Sequence, residues 1–185
     1  MNSANKRQRD VSVKLVAAGA FLSAISIVMG KYLAIPVGEI LRFSFENLPI
    51  ILAGMAFGPA AAILVGVVAD LVGCVLVGYT INPIITVGAA VIGAVSGISY
   101  KLLSHLKLPY IVKVAFTVFI SHILGSVIIK SIGLSAFYSI PLYELMLWRL
   151  LNYLIVGIAE TLLLFYLMKN KLLASKIKSI KGDKK

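Results

Sequence analysis

Ionisable and hydrogen-bonding side chains are scarce in this 185-residue chain, so the few that interrupt its apolar runs are the ones that could do chemistry. Arg149, Asn152, Tyr153 and Glu160 follow at i, i+3, i+4 and i+11, a spacing that puts all four on one face of a helix. Arg149 offers a planar fork for carboxylate, Asn152 offers both donor and acceptor, and Trp148 stands beside them. Such a face can hold an anionic, heteroaromatic ligand. It can equally form an Arg–Glu pair between helices with an interfacial Trp–Tyr belt. A second set, Arg42-Phe43-Ser44-Phe45-Glu46-Asn47, alternates aromatic and polar groups. Two rings can sandwich a flat ligand ring while Arg42 or Glu46 meets its polar edge. Pro36, Gly38 and Pro49 bracket this stretch as hinges of a ligand lid, although an interfacial anchor would look similar.

Three further polar residues stand in apolar surroundings. Asp70 can serve a proton or a cation, or accept hydrogen bonds in a structural role. Asn82, before Pro83, can cap a helix or contact ligand. His122 has no metal-ligand spacing around it and reads as a hydrogen-bonded core histidine. No phosphate-binding loop, catalytic triad or His/Cys zinc cluster is found, so no catalytic, cofactor or metal site is expected and the chain is not read as an enzyme. Any nucleotide-driven step would need another subunit. The single cysteine, Cys74, lies in an apolar run and reads as a packing residue.

These residues must be positioned by membrane helices. The chain is 60% hydrophobic and only 14% charged, with a mean hydropathy of +1.00, whereas a soluble domain carries about 25% charged residues. Positions 47 to 100 contain one charge, Asp70. Gly58-Pro59 and the stretch Gly78 to Pro83 cut that run. The resulting reading is an all-α integral membrane protein, a bundle of six transmembrane helices forming a single domain over residues 1–185. Its first span covers about Leu15 to Gly30 and the others about Leu48–Phe57, Pro59–Val77, Pro83–Leu103, Tyr110–Ile132 and Leu142–Met168. The second is too short to span alone. A basic tail follows from about 169 to 185.

The net charge of +11 fits this plan. Fourteen of 18 Lys and Arg residues fall on one side if both termini are cytoplasmic, as the positive-inside bias requires. Lys31, Arg42, Lys130 and Arg149 are left outside or in the outer half of the membrane. The basic ends are read as contacts with anionic lipid, with no nucleic-acid partner. Small residues recur on three faces: Ala62, Gly66, Ala69 and Gly73; Ala89, Gly93 and Gly97; and Ala17, Ala20 and Ala24 with Ser23 beside them. The first two are expected to pack within the chain. The third can pack internally or dock a partner helix.

The stretch RFSFENLPIILAGMAFGPAAAILVGVVADLVG from Arg42 to Gly73, followed by Gly78-Tyr79-Thr80-Ile81-Asn82-Pro83, resembles the substrate-binding S components of energy-coupling factor (ECF) vitamin transporters. Among these it is most similar to the folate-specific S component. The resemblance implies a six-helix bundle in the bacterial cytoplasmic membrane that binds a vitamin on its outer side under the first loop. It also implies a transmembrane T subunit and two ATPase subunits as partners. An Ala-x-x-x-Ala motif, here Ala20 to Ala24, meets the T subunit in that family, which assigns Ala17, Ala20, Ser23 and Ala24 to a partner interface. Folate is then the expected ligand, its pterin against Phe43, Phe45 and Trp148 and its carboxylates on Arg42 or Arg149. Glu46, Tyr79, Asn82, Asn152 and Tyr153 complete the expected binding set.

Overall fold

The computed structural model describes residues 3–37 and 41–181. The hinge expected at Gly38, the side chains of Lys6, Arg7 and Arg9, and residues Lys184 and Lys185 lie outside that description. Helix α1 (Ser3–Ile27) runs into a π-helical turn, Val28–Tyr32. A short antiparallel ribbon follows, β1 (Ile35–Val37) against β2 (Leu41–Phe43), with Pro36 opposite Arg42. Then come α2 (Asn47–Phe57), α3 (Pro59–Val77) and α4 (Pro83–Ser104). The next span consists of α5 (Tyr110–Ser121), a π-helical stretch (His122–Ile129) and α6 (Lys130–Tyr138); α7 (Leu142–Lys169) and α8 (Lys171–Lys181) complete the chain.

The helix breaks arise from backbone chemistry. Gly58 adopts φ 92° between α2 and α3, and Gly78 ends α3 at φ 69°, both in the region that favours glycine. Pro59 and Pro83 open α3 and α4 at positions whose N–H has no intrahelical partner. Asn82 caps α4, its side chain accepting from the Ile84 N–H at 3.0 Å, and its Nδ2 donates to the Gly133 carbonyl at 2.9 Å.

Among the described residues, five helical spans are long and apolar enough to cross a membrane: Val11–Tyr32, Pro59–Val77, Pro83–Ser104, Tyr110–Tyr138 and Leu142–Lys169. Helix α2, with 11 residues, is about 16 Å long and falls short of a bilayer core of about 30 Å. It is apolar on every face and nearly all of it is buried, enclosed by α1, α3 and α4. Of the six helices expected from sequence, five are long enough to cross, and the second, read there as too short to span alone, is α2. The purely α-helical expectation is corrected by the β1–β2 ribbon. The basic tail forms a helix from Lys171 to Lys181 that touches α7, α1 and α2, so both ends of the described chain meet at one end of the bundle.

Glycines set the closest helix contacts. Gly66 faces the Ala89 carbonyl, where an added Cβ would come within 2.6 Å, and Gly93 faces the Ala62 carbonyl with less room still. The small-residue faces of α3 and α4 thus pack against each other, as expected from sequence. Gly73 turns instead toward Ile27 and Lys31 of the first span. Gly93→Val should force α3 and α4 apart and destabilise the fold by about 1–3 kcal/mol, read as a lower melting temperature in detergent; an unchanged midpoint would contradict this packing.

Candidate ligand-binding site

At the end of the bundle away from α8, the chain encloses a cavity of about 310 Å³. Its walls come from the end of the first span, the lid after β1, the α3–α4 turn, the end of α6 and the start of α7. The four basic residues left on the outer side by the charge distribution, Lys31, Arg42, Lys130 and Arg149, all line it, with Glu46 and Asp70 as the carboxylates. These two acids leave the cavity with two positive charges in excess.

The lid is tied down at several points. The Arg42 guanidinium donates to Tyr79 Oη at 2.9 Å and lies 5.2 Å from the centre of that ring. Asn152 Nδ2 donates to the Arg42 carbonyl at 3.0 Å, tying β2 to α7. Ser26 Oγ donates to the Glu46 carbonyl at 2.6 Å, and Lys130 Nζ reaches the Glu46 carboxylate at 2.9 Å. Burial works against ionisation of Glu46. The charge and hydrogen bond of Lys130, with Lys31 and Arg149 further off, outweigh it and hold the carboxyl at about 2, well below its ordinary 4.5.

On α7, Arg149 Nε donates to the Ser126 carbonyl at 2.9 Å and its guanidinium lies 5.5 Å from the centre of the Tyr153 ring. Arg149, Asn152 and Tyr153 share the cavity wall, as their spacing requires. Glu160 does not pair with Arg149: it is fully buried, and its Oε2 lies 2.6 Å from His122 Nε2. His122 is buried and hydrogen-bonded, as read from sequence.

The structure thus brings Arg42, Glu46, Tyr79, Arg149, Asn152 and Tyr153 together. It places four other expected residues elsewhere. Phe43 packs on the small cluster of Val127, Tyr153 and Val156, Phe45 and Trp148 are exposed, and Asn82 is committed to its cap and to Gly133. Lys31, Asp70, Lys130 and Tyr138 are cavity residues that the expected set lacked. The first three carry the signal of an ionisable group within apolar sequence; Tyr138 carries none. Asp70 also accepts from Thr86 Oγ1 at 2.6 Å. Of the partner-interface residues, Ala17, Ala20 and Ala24 are exposed along α1, while Ser23 is buried and donates to the Val65 carbonyl at 3.3 Å.

The sequence profile of the family described as "ECF transporter, substrate-specific component" matches residues 14–174. Comparison with curated protein sequences gives no match. Among solved structures the chain is similar to FolT bound with folic acid, at 27% identity and a TM-score of 0.66, covering 82% of this chain and 90% of that one. It also shares its fold with the S component of a bacterial ECF transporter at 23% identity and TM-score 0.62, covering 90% and 99% of the two chains. A biotin S component gives 21% and 0.63, covering 92% and 95%. With the five long apolar helices and the charged cavity, the family match makes the assignment: the chain belongs to the substrate-specific components of ECF transporters, integral membrane subunits that bind a vitamin and work with T and ATPase modules.

A carboxyl whose folded value lies below its unfolded one contributes stability that is complete above the unfolded value and lost as pH falls. The contribution of Glu46 should therefore be constant at neutral pH and disappear between about 4.5 and 2. The melting temperature in detergent should drop over that window, and Glu46→Gln should reduce the drop. An identical profile for the two proteins would contradict the Glu46–Lys130 linkage.

Proposed function

We propose that the protein is a folate-binding S component that captures the vitamin from the outer side of a bacterial cytoplasmic membrane, with both termini in the cytoplasm. The observation that carries this reading is the charge of the cavity. Four cations face two carboxylates, and the surplus of two positive charges matches the two carboxylates of a glutamate tail. A monoanionic vitamin would leave one cation unmatched. The similarity to FolT bound with folic acid supports the same choice.

In this reading Arg42 and Arg149 meet the ligand carboxylates, both arginines presenting planar forks. The flat pterin lies against the tyrosines of the wall, Tyr79, Tyr138 and Tyr153, and Glu46 and Asn152 offer hydrogen bonds to ligand edges. Phe43, Phe45, Asn82 and Trp148 stand off the cavity and are left out of the proposed contacts. The exposed Ala17, Ala20 and Ala24 face on α1 docks the T subunit, small residues letting the helices approach closely. Two partner ATPase subunits supply the energy, and the chain carries no cofactor of its own.

Calorimetry on the purified protein should give tight binding of folic acid. Arg149→Ala should weaken it by about 1.5–3 kcal/mol, the loss of a charge-assisted hydrogen bond. No heat with any folate, together with clear binding of biotin or another vitamin, would overturn the ligand assignment. For the partner surface, Ala24→Phe should abolish co-purification with the T and ATPase subunits and leave folic acid affinity within about twofold, since an exposed α1 side chain lies outside the cavity. Retained assembly, or a collapse in affinity, would contradict the docking role.

A further inference from the structure

The cavity and the α1 face leave the opposite end of the bundle without a role. There α7 ends at Lys169, Asn170 turns extended at ψ 121°, and its side chain accepts from the Leu172 N–H at 2.9 Å to start α8. With 11 residues, α8 is about 16 Å long. Because it touches α1 and α2 as well as α7, it runs across the bundle end instead of continuing α7 outward. The turn between α4 and α5 lies at the same end, where the Tyr110 ring meets Phe165 of α7 with centres 5.7 Å apart.

The order of residues decides how α8 sits. Leu173, Ile177 and Ile180 follow at i, i+4 and i+7 and make one apolar stripe. Lys176 and Lys181 flank it, one on each side, and Lys171 and Lys178 stand opposite. The stripe residues are half-buried and the four lysines exposed, so the stripe faces the bundle. No residue of α8 is fully buried, however. The bundle covers only part of the stripe, and Leu172, 77% exposed, stands clear of it. Apolar surface left over at the level where a span leaves the membrane is covered by the boundary between acyl chains and headgroups. The α4–α5 turn repeats the mixture, with exposed Leu102, Leu106 and Leu108 beside exposed Lys101 and Lys107. No acid occurs from Ser99 to Lys113 or from Thr161 to Lys181. Among the described residues none of these six lysines has an ion-pair partner.

We propose that α8 and the α4–α5 turn form one docking surface for the headgroups of anionic phospholipids, with α8 lying in the membrane plane as a strap across the ends of α1 and α2. The exposed leucines enter the acyl–headgroup boundary, and the lysines reach lipid phosphates on their flexible stems. A basic tail is attracted to such a membrane in any conformation. The structure adds a folded helix whose stripe is shared between bundle and lipid, so that headgroup binding holds α8 against α1 and α2. An acidic protein surface would match the lysines but leave the leucines facing charge; anionic lipid satisfies both. The surface is independent of which ligand occupies the cavity.

Hydrogen exchange of the full chain tests this in nanodiscs of phosphatidylcholine alone and of phosphatidylcholine with about 30% phosphatidylglycerol. The α8 amides should exchange at least about tenfold more slowly in the anionic membrane, since each lysine near such a surface is worth about fivefold. Amides of α3 and α4 should not respond. Salt at about 0.5 M should remove most of the difference, because screening then acts within a few Å. Changing Lys171→Gln, Lys176→Gln, Lys178→Gln and Lys181→Gln together keeps the stripe and the helix propensity. That variant should match the native chain in phosphatidylcholine within about twofold and lose its response to phosphatidylglycerol. Equal α8 exchange in the two membranes would overturn the proposal, as would an undiminished response in the Lys→Gln variant. Protection of α8 that appears only on reconstitution with T and ATPase subunits, and not with phosphatidylglycerol, would assign the lysines to a protein partner and overturn it as well.

Discussion

A charge cannot be left facing hydrocarbon, and most of this architecture follows from where the chain puts the few it keeps. Lys31, Arg42, Glu46, Asp70, Lys130 and Arg149 come from separate segments but converge on one cavity, where each can be solvated, paired or met by a ligand. The Glu46–Lys130 pair at 2.9 Å joins the lid to the fifth span, and Asn152 joins the lid to α7 through the Arg42 carbonyl. With charge withdrawn to the cavity, α3 and α4 are free to pack backbone to backbone through Gly66 and Gly93. The short α2 can then lie enclosed among its neighbours.

The same economy makes the site asymmetric. The excess positive charge of the cavity favours an anion, yet its neighbours are committed to one another: Arg42 to Tyr79, Arg149 to the Ser126 carbonyl, Lys130 to Glu46. A ligand carboxylate does not meet free cations. It competes with, or adds to, contacts that already hold the lid and the π-helical stretch, so capture and the positions of those segments are energetically linked.

Much of this was legible in the sequence wherever local backbone chemistry or charge decided the outcome. Gly58-Pro59 and Asn82-Pro83 marked their breaks because φ freedom, a missing N–H and a capping side chain act locally. The charge distribution set Lys31, Arg42, Lys130 and Arg149 apart from the other cations, but only the two arginines were expected in the site, because convergence of Lys31 and Lys130 on the cavity is a tertiary fact. Other features depended on tertiary detail. The ribbon of residues 35–37 and 41–43 is too short for an alternating pattern to show, and the π-helical stretch is a shift in hydrogen-bond partner that residue identities do not encode. Trp148 precedes Arg149 in sequence, but adjacent residues on a helix point about 100° apart, so the arginine faces the cavity and the tryptophan is exposed. Asn82 caps α4 as its place before Pro83 suggests, and its second bond, to the Gly133 carbonyl, is a tertiary contact that the sequence does not show.

The central claim is that the cavity's surplus of two positive charges selects a dianionic vitamin. The most direct measurement is the affinity of the purified protein for folic acid against its neutral diamide, in which both tail carboxylates are lost while the pterin is unchanged. Loss of both charge-assisted contacts predicts a drop of at least about a hundredfold. Equal affinity for the two would contradict the account.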